Sequence, residues 1–174
     1  MNRTIETRYP FQEIEQKWQK LWKDRNIYSV NDDDTRPNWY ELTMFPYPSG
    51  DIHIGHWFAM TGADIHARFR SMQGYNVLHP MGFDAFGLNA ENVAIQRNIH
   101  PHKWTMDNIE RMRRQLESMG AMYDWERQIV TCLPEYYRWN QWFFLQFYKK
   151  GLAYRGFAPV NWCPSCVTVL ANEQ

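Results

Sequence analysis

The 174-residue sequence has few cysteines, no long apolar run and no net charge. Three cysteines, two of them in a Cys-x-x-Cys pair, argue against a disulfide framework and favour thiols or a metal in a reducing cytoplasm. No apolar run could span a bilayer, and residues 1–6 lack the apolar stretch of a secretory signal, so we expect a cytoplasmic chain without a membrane partner. The 19 basic and 19 acidic residues argue against a surface that attracts nucleic acid over its whole area, but they allow a local basic patch.

The sequence is rich instead in aromatic residues, which make up 17% of it. Hydrophobic residues account for 44% and charged residues for 22%, which is typical of a globular chain. The length suits one domain with the start of a second.

Apolar periodicity, together with proline and glycine at the breaks, predicts five helices and three short strands. The helices are expected to start at Pro10, near Ile52, near Gly87, after an N-cap at Thr105, and at Pro134. Strands are expected at residues 39–45, at residues 75–78, where Pro80 and Gly82 stop the strand, and at residues 153–155. The order strand, tight loop, helix, strand, helix is typical of a parallel sheet covered by helices, so we predict an α/β fold.

The most informative segment is residues 46–56, which leaves the first predicted strand and enters a predicted helix. Ligands of open parallel sheets bind at the carboxyl ends of strands, where helix N-termini favour phosphate. His53 and His56 are three residues apart and share a face of the first turn, while Gly55 removes a side chain between them. Two imidazoles aimed at one site can donate hydrogen bonds to phosphoryl oxygens. The pair could instead bind a metal or lie on the surface without a function.

Five segments in order make the chain similar to a known family. His53-Ile54-Gly55-His56 is the HIGH signature of class I aminoacyl-tRNA synthetases. The segments that narrow the resemblance to leucyl-tRNA synthetases are residues 44–50, 82–88, 135–142 and 158–164. The resemblance implies the first half of a Rossmann-type catalytic domain, which activates leucine with ATP and Mg²⁺ and then charges tRNA(Leu).

The resemblance also implies roles for individual residues. His53 and His56 would be catalytic and, with Gly55, would bind ATP. Asp84 would anchor the α-amino group of leucine, as a carboxylate is the natural partner of an ammonium group. Asp84 could alternatively be the N-cap of the helix that follows. The residues that would line the leucine site beside Asp84 are Met44, Phe45 and Tyr47.

Two places depart from the family pattern. Asn89 stands where many members have proline, and residues 58–60 lack a polar stretch of bacterial members. Cys163 and Cys166 resemble the first pair of a four-cysteine zinc knuckle, so a zinc ion is expected only in a longer parent protein.

The second family signature, Lys-Met-Ser-Lys-Ser, does not occur in the sequence. We therefore expect an N-terminal fragment that is inactive alone. Its expected parts are a helix and loop at 1–38, the first half of the catalytic domain at 39–157, and the start of a cysteine knuckle at 158–174, which leads to an insertion domain. Two other functions stay open: a non-catalytic nucleotide- or RNA-binding module derived from a synthetase, and a small nucleotidylyl transferase.

Two surfaces could contact RNA, although simpler interpretations are favoured. The aromatic side of the helix from Pro134 is expected to be core rather than a stacking surface for tRNA. Arg111, Arg113 and Arg114 are expected to form a solvated helix face rather than to bind phosphates.

Overall fold

The computed structural model describes residues 9–171 and divides into two compact units between Tyr136 and Tyr137. The helices are α1 (Phe11–Asp24), α2 (Ile54–Met72), α3 (Leu88–Gln96), α4 (Pro101–Ser118) and α5 (Pro134–Lys149). The strands are β1 (Asn38–Tyr40), β2 (Asn76–Leu78), β3 (Pro80–Phe83), β4 (Asp124–Val130), β5 (Asn161–Cys163) and β6 (Thr168–Leu170).

The first unit is built from two parallel strand pairs connected by helices. β1 pairs with β2 through the crossover helix α2, and Trp39 lies opposite Val77. β3 pairs with β4 through α3 and α4, and Phe83 lies opposite Val130. Strand–helix–strand units with parallel strands confirm the predicted α/β class.

The core of the first unit lies between β3, β4 and α4. Phe83, Met112 and Leu116 are at most 1% exposed, and Ile109 is buried beside them. The predicted apolar stripe of α4 therefore does face the core. Phe83 and Val130, the last residues of β3 and β4, belong to this core. The core therefore holds the carboxyl ends of both strands in place.

Arg68 on α2 attaches the N-terminal segment to this unit. It donates hydrogen bonds to Asp64 (2.9 Å), to the hydroxyl of Tyr28 (3.0 Å) and to the backbone carbonyl of Gly120 (2.6 Å). Its guanidinium also lies over the ring of Trp22, 5.6 Å from the centroid. One side chain thus joins α1, the following loop, α2 and the end of α4.

Several predicted boundaries were wrong. The predicted strand at 75–78 does end at Leu78, but Pro80 and Gly82 are not a break in strand structure, because they belong to β3, all of which is buried. Pro80 is tolerated because it is the first residue of that strand. Thr105 is not an N-cap: α4 begins at Pro101, and the Nδ1 atom of His100 accepts the N–H of His102 at 3.1 Å.

The strand predictions also changed in extent. The first strand covers Asn38–Tyr40 rather than residues 39–45. Residues 153–155 form no strand, whereas β4 was not predicted at all.

In the second unit, β5 and β6 form an antiparallel hairpin in which Cys163 lies opposite Thr168. No residue of α5 within the described chain is buried. The expected core around its aromatic side does not form among the described residues. Tyr136 and Tyr137 are half-buried, and the other aromatic residues of the helix are between 47% and 64% exposed: Trp139, Trp142, Phe143, Phe144, Phe147 and Tyr148.

Candidate active site

The segments that follow β1, β3 and β4 meet at one place. The backbone N–H of Asp84, just after β3, donates to the carbonyl of Pro46 at 3.0 Å. The backbone N–H of Thr131, just after β4, donates to the carbonyl of Phe83 at 3.1 Å. The carboxyl ends of these strands therefore share one edge, where ligands bind in open α/β sheets.

His53 and His56 cap the N-terminus of α2 reciprocally. The Nδ1 atom of His53 accepts the N–H of Gly55 at 3.1 Å, and the Nδ1 atom of His56 accepts the N–H of His53 at 3.2 Å. This is a capping box in which imidazoles take the places usually held by a hydroxyl and a carboxylate. The two rings lie 4.1 Å apart between centroids, so the predicted shared face is confirmed.

The caps determine which atoms of the two rings remain for a ligand. Because each Nδ1 accepts a backbone N–H, the proton of the neutral ring is on Nε2. Within the described chain, no hydrogen bond uses either Nε2 atom. Partial burial lowers the pKa of His56, and the neighbouring His53 lowers it further. The arrangement therefore offers two N–H donors beside a helix N-terminus.

Gly55 makes room for this arrangement. A Cβ atom at position 55 would lie 2.9 Å from two atoms of the His53 ring. The space that glycine leaves is filled here by the imidazole of His53, which folds back over the first turn of the helix.

Gln115 on α4 supports the chain immediately before the histidines. Its side-chain oxygen accepts the N–H of Ile52 at 3.0 Å, and its amide nitrogen donates to Asp51 at 2.7 Å. Arg111 forms an ion pair with the same aspartate. Sequence reasoning missed Gln115, since nothing in the pattern of α4 links it to a segment about sixty residues earlier.

The predicted arginine face of α4 is solvated and paired with acidic residues. Besides Arg111, Arg113 pairs with Glu117 and Arg114 with Glu110, each at 2.9 Å. These intrahelical pairs place an acidic partner beside each of the two arginines.

The four residues predicted to bind leucine have different surroundings in the structure. Met44 is 78% exposed, whereas Phe45 packs against the hydrophobic core. The hydroxyl of Tyr47 accepts the N–H of Ala90 at 3.1 Å and donates to the carbonyl of Gly87 at 3.4 Å. Tyr47 thus joins the loop after β1 to the start of α3.

Asp84 is exposed, whereas Phe83 and Ala85 on either side of it are buried. The alternative role as a helix N-cap does not apply, because α3 is capped by Gly87 without a side-chain hydrogen bond. The Oγ1 atom of Thr131 lies 3.5 Å from the carboxylate of Asp84 and accepts the N–H of Ala85 at 2.8 Å. Thr131 was also missed, because it follows the unpredicted strand β4.

A buried histidine lies under the loop after β1. His79 is 1% exposed, and its Nε2 atom is 2.9 Å from the hydroxyl of Thr43. Burial lowers the pKa of His79. Among the described residues, neither its Nδ1 atom nor the hydroxyl of Tyr123 has a hydrogen-bond partner.

The two cysteines predicted as metal ligands lie together in the second unit. The N–H of Cys166 points to the Sγ atom of Cys163 at 3.3 Å, and this contact lowers the pKa of the Cys163 thiol. Over residues 9–171, no group of three or more potential ligands could hold a metal ion. Within the described chain, Cys163 and Cys166 alone do not make up the four ligands that a structural zinc site needs. No described helix is long and apolar enough to cross a bilayer.

Comparison with known proteins identifies the family. Residues 17–174 match the family model described as tRNA synthetases class I (I, L, M and V), where the letters are one-letter amino-acid codes. The chain belongs to this family. It is 59% identical over 167 residues to a Leucine--tRNA ligase of Dehalococcoides mccartyi, covering 96% of this chain and 20% of that protein. It is also 62% identical over 161 residues to a Leucine--tRNA ligase of Rubrobacter xylanophilus, and the match covers 92% of this chain and 20% of that protein.

A solved structure agrees with this assignment. The ternary LeuRS-tRNA-LeuAMS complex of Agrobacterium radiobacter K84 matches with a TM-score of 0.86 and 41% identity, over 96% of this chain and 22% of that one. The similarity confirms the fold of a class I synthetase catalytic domain. The chain spans about a fifth of the length of the curated relatives that it matches.

Proposed function

We propose that this chain is the N-terminal part of a leucine–tRNA ligase that acts in the cytoplasm. In the proposed protein, residues 1–38 form an N-terminal helix and loop, 39–157 the first half of the catalytic domain, and 158–174 the start of a cysteine knuckle. The observation that carries the proposal is the identity of 59–62% to Leucine--tRNA ligases over nearly the whole chain. The histidine-capped helix and Asp84 at neighbouring strand ends support it.

The two histidines serve the adenylation step. The leucine carboxylate attacks the α-phosphorus of ATP, and pyrophosphate leaves with its bound Mg²⁺. The Nε2–H groups of His53 and His56 donate to phosphate oxygens as negative charge grows on them. Gly55 keeps the first turn narrow enough for the nucleotide and the rings to share the helix N-terminus.

Asp84 and the loop after β1 bind leucine. The exposed carboxylate of Asp84 pairs with the ammonium group, and the exposed thioether of Met44 contacts the aliphatic side chain. Phe45 and Tyr47 contribute the wall behind Met44, each held by its own packing. The similarity to a LeuRS that binds tRNA and LeuAMS is consistent with tRNA(Leu) as the second substrate.

Replacing Asp84 by asparagine in the full-length ligase tests this assignment. The variant keeps the shape but loses the charge, so leucine binding should weaken by about 10- to 100-fold while ATP binding persists. Separate titrations with leucine and ATP measure the two affinities. Asp107→Asn is the matched control, because Asp107 is an exposed acid on α4 that pairs only within its helix. Equal weakening of both ligands would assign Asp84 a structural role.

Zinc and full activity require residues beyond this chain. Cys163 and Cys166 would hold one side of a structural zinc site in the full-length ligase, with two more ligands from the rest of the protein. The chain alone is proposed to be inactive, because a doubly wound nucleotide site lies where two halves of a sheet meet.

A further inference from the structure

Thr131 contacts the chain on both sides of Asp84. Its backbone N–H donates to the carbonyl of Phe83 at 3.1 Å, and its hydroxyl accepts the N–H of Ala85 at 2.8 Å. The residue before Asp84 and the residue after it are therefore both held by one threonine. The N–H of Asp84 itself is held by Pro46.

The hydroxyl of Thr131 also faces the Asp84 carboxylate. Its Oγ1 atom is 3.5 Å from Oδ1, and Thr131 is only 9% exposed. Because one lone pair of the hydroxyl accepts the N–H of Ala85, its hydrogen is free to turn toward Oδ1. A donor on Oδ1 would orient the carboxylate and leave Oδ2 for an ammonium group.

An exposed aspartate needs such support to bind leucine well. A free carboxylate samples several rotamers, and ordering it when the ligand binds costs affinity. A hydroxyl held by a backbone N–H can reduce that cost before leucine arrives, and a contact of 3.5 Å can tighten in the complex.

We propose that Thr131 is a positioning residue for the leucine ammonium site: its hydroxyl fixes the backbone after Asp84 and orients the Asp84 carboxylate. This inference rests on the proposed function. It predicts a selective effect on leucine, since no contact of Thr131 described here involves the histidine cap of α2.

The test uses Thr131→Val and Thr131→Ser in the full-length ligase. Valine keeps the shape of threonine but has no hydroxyl, so the KM for leucine in pyrophosphate exchange should rise by about tenfold while the KM for ATP changes less than about twofold. Serine restores the hydroxyl and should return the KM for leucine to within about threefold of the original. Thr105→Val, a buried threonine of α4, is the matched control for loss of a hydroxyl.

A double replacement separates positioning from a purely structural role. If Thr131 acts through Asp84, adding Thr131→Val to Asp84→Asn should change the KM for leucine by less than about twofold. Melting temperatures of all variants show whether valine merely unfolds the site.

The inference is overturned if Thr131→Val raises both KM values equally, changes neither, or if serine behaves like valine. The unaltered ligase reports separately on the proposed function. Without leucine-dependent exchange the function itself fails, whereas a selective leucine defect in Asp84→Asn beside a neutral Thr131→Val defeats only the role of Thr131.

Discussion

Two replacements of His56 should separate its proposed part in adenylation from its part in holding α2. The Nδ1 atom of His56 accepts the N–H of His53 at 3.2 Å, while its Nε2 atom has no partner within the described chain. Alanine removes both atoms. Asparagine places a carbonyl oxygen near the position of Nδ1 and has nothing at the position of Nε2.

The expected magnitudes differ for stability and for activity. Losing a helix cap costs about 0.5–2 kcal/mol, and each kcal/mol lowers the melting temperature of a chain of this size by roughly 2–4 °C. His56→Ala should show this loss, whereas His56→Asn should stay within about 0.5 kcal/mol of the original. Both lack the proposed donor to phosphate, and one such donor contributes about 2.7–4 kcal/mol, or roughly 100- to 1000-fold in rate.

Leucine-dependent pyrophosphate exchange by the full-length ligase measures the activity, and thermal unfolding of this chain followed by circular dichroism measures the stability. The reasoning predicts two variants that are equally slow but unequally stable. Normal exchange by His56→Asn would refute the proposed role of Nε2. Activity that followed stability across the two variants would show that His56 matters only for the helix start.

Three further predictions concern stability and metal binding. Gly82→Ala should destabilise the chain by about 1–3 kcal/mol in urea unfolding, because the new Cβ would lie 2.7 Å from the backbone oxygen of Ile129; an unchanged midpoint would contradict this. Burial lowers the pKa of His79, so the unfolded state takes up the proton first and stability should fall as pH drops below about 6.5. His79→Gln, which does not titrate, should flatten that dependence between pH 7 and 5, and an unchanged slope would show that other groups cause it. Zinc should wash out of the purified chain with a chelator, because Cys163 and Cys166 are two ligands of four, and stoichiometric retention would contradict an incomplete site.

The sequence predicted that His53 and His56 share a face at the start of a helix, because all the parts of this feature are local. A strand exit, two histidines three residues apart and a glycine between them lie within eleven residues, and the geometry of one helical turn places them together. The chemistry of the cap was not predicted, because a capping box is usually recognised by Ser or Thr with Glu or Gln.

The residues that support the site from distant parts of the chain could not be predicted from the sequence. β4 begins Asp124-Trp125-Glu126-Arg127, which reads as polar surface, yet Asp124 is 1% exposed and accepts the N–H of Val30 at 3.0 Å. Because its charged residues prevented the prediction of β4, the position of Thr131 at the end of that strand was not predicted either. Pro80 and Gly82 were also misread: β2 does end at Leu78, but both residues belong to the buried strand β3, which pairs with β4.

Three glycines near the candidate site show one physical device by which the chain holds its functional rings. A Cβ at Gly55 would meet the His53 imidazole at 2.9 Å, and one at Gly82 would meet the Phe45 ring at 2.9 Å. A Cβ at Gly87 would meet the hydroxyl of Tyr47 at 2.8 Å, and the φ of +154° there is one that glycine alone adopts readily.

Each of these rings belongs to a residue proposed to form part of the ATP or leucine site, and each occupies space that a Cβ atom on the neighbouring glycine would need. The contact of His53 with Gly55 uses the Nδ1 atom of the ring and leaves its Nε2 atom available to a ligand. A side chain at position 55, 82 or 87 would require the adjacent ring to shift, so these three glycines help to determine where the rings of the candidate site lie.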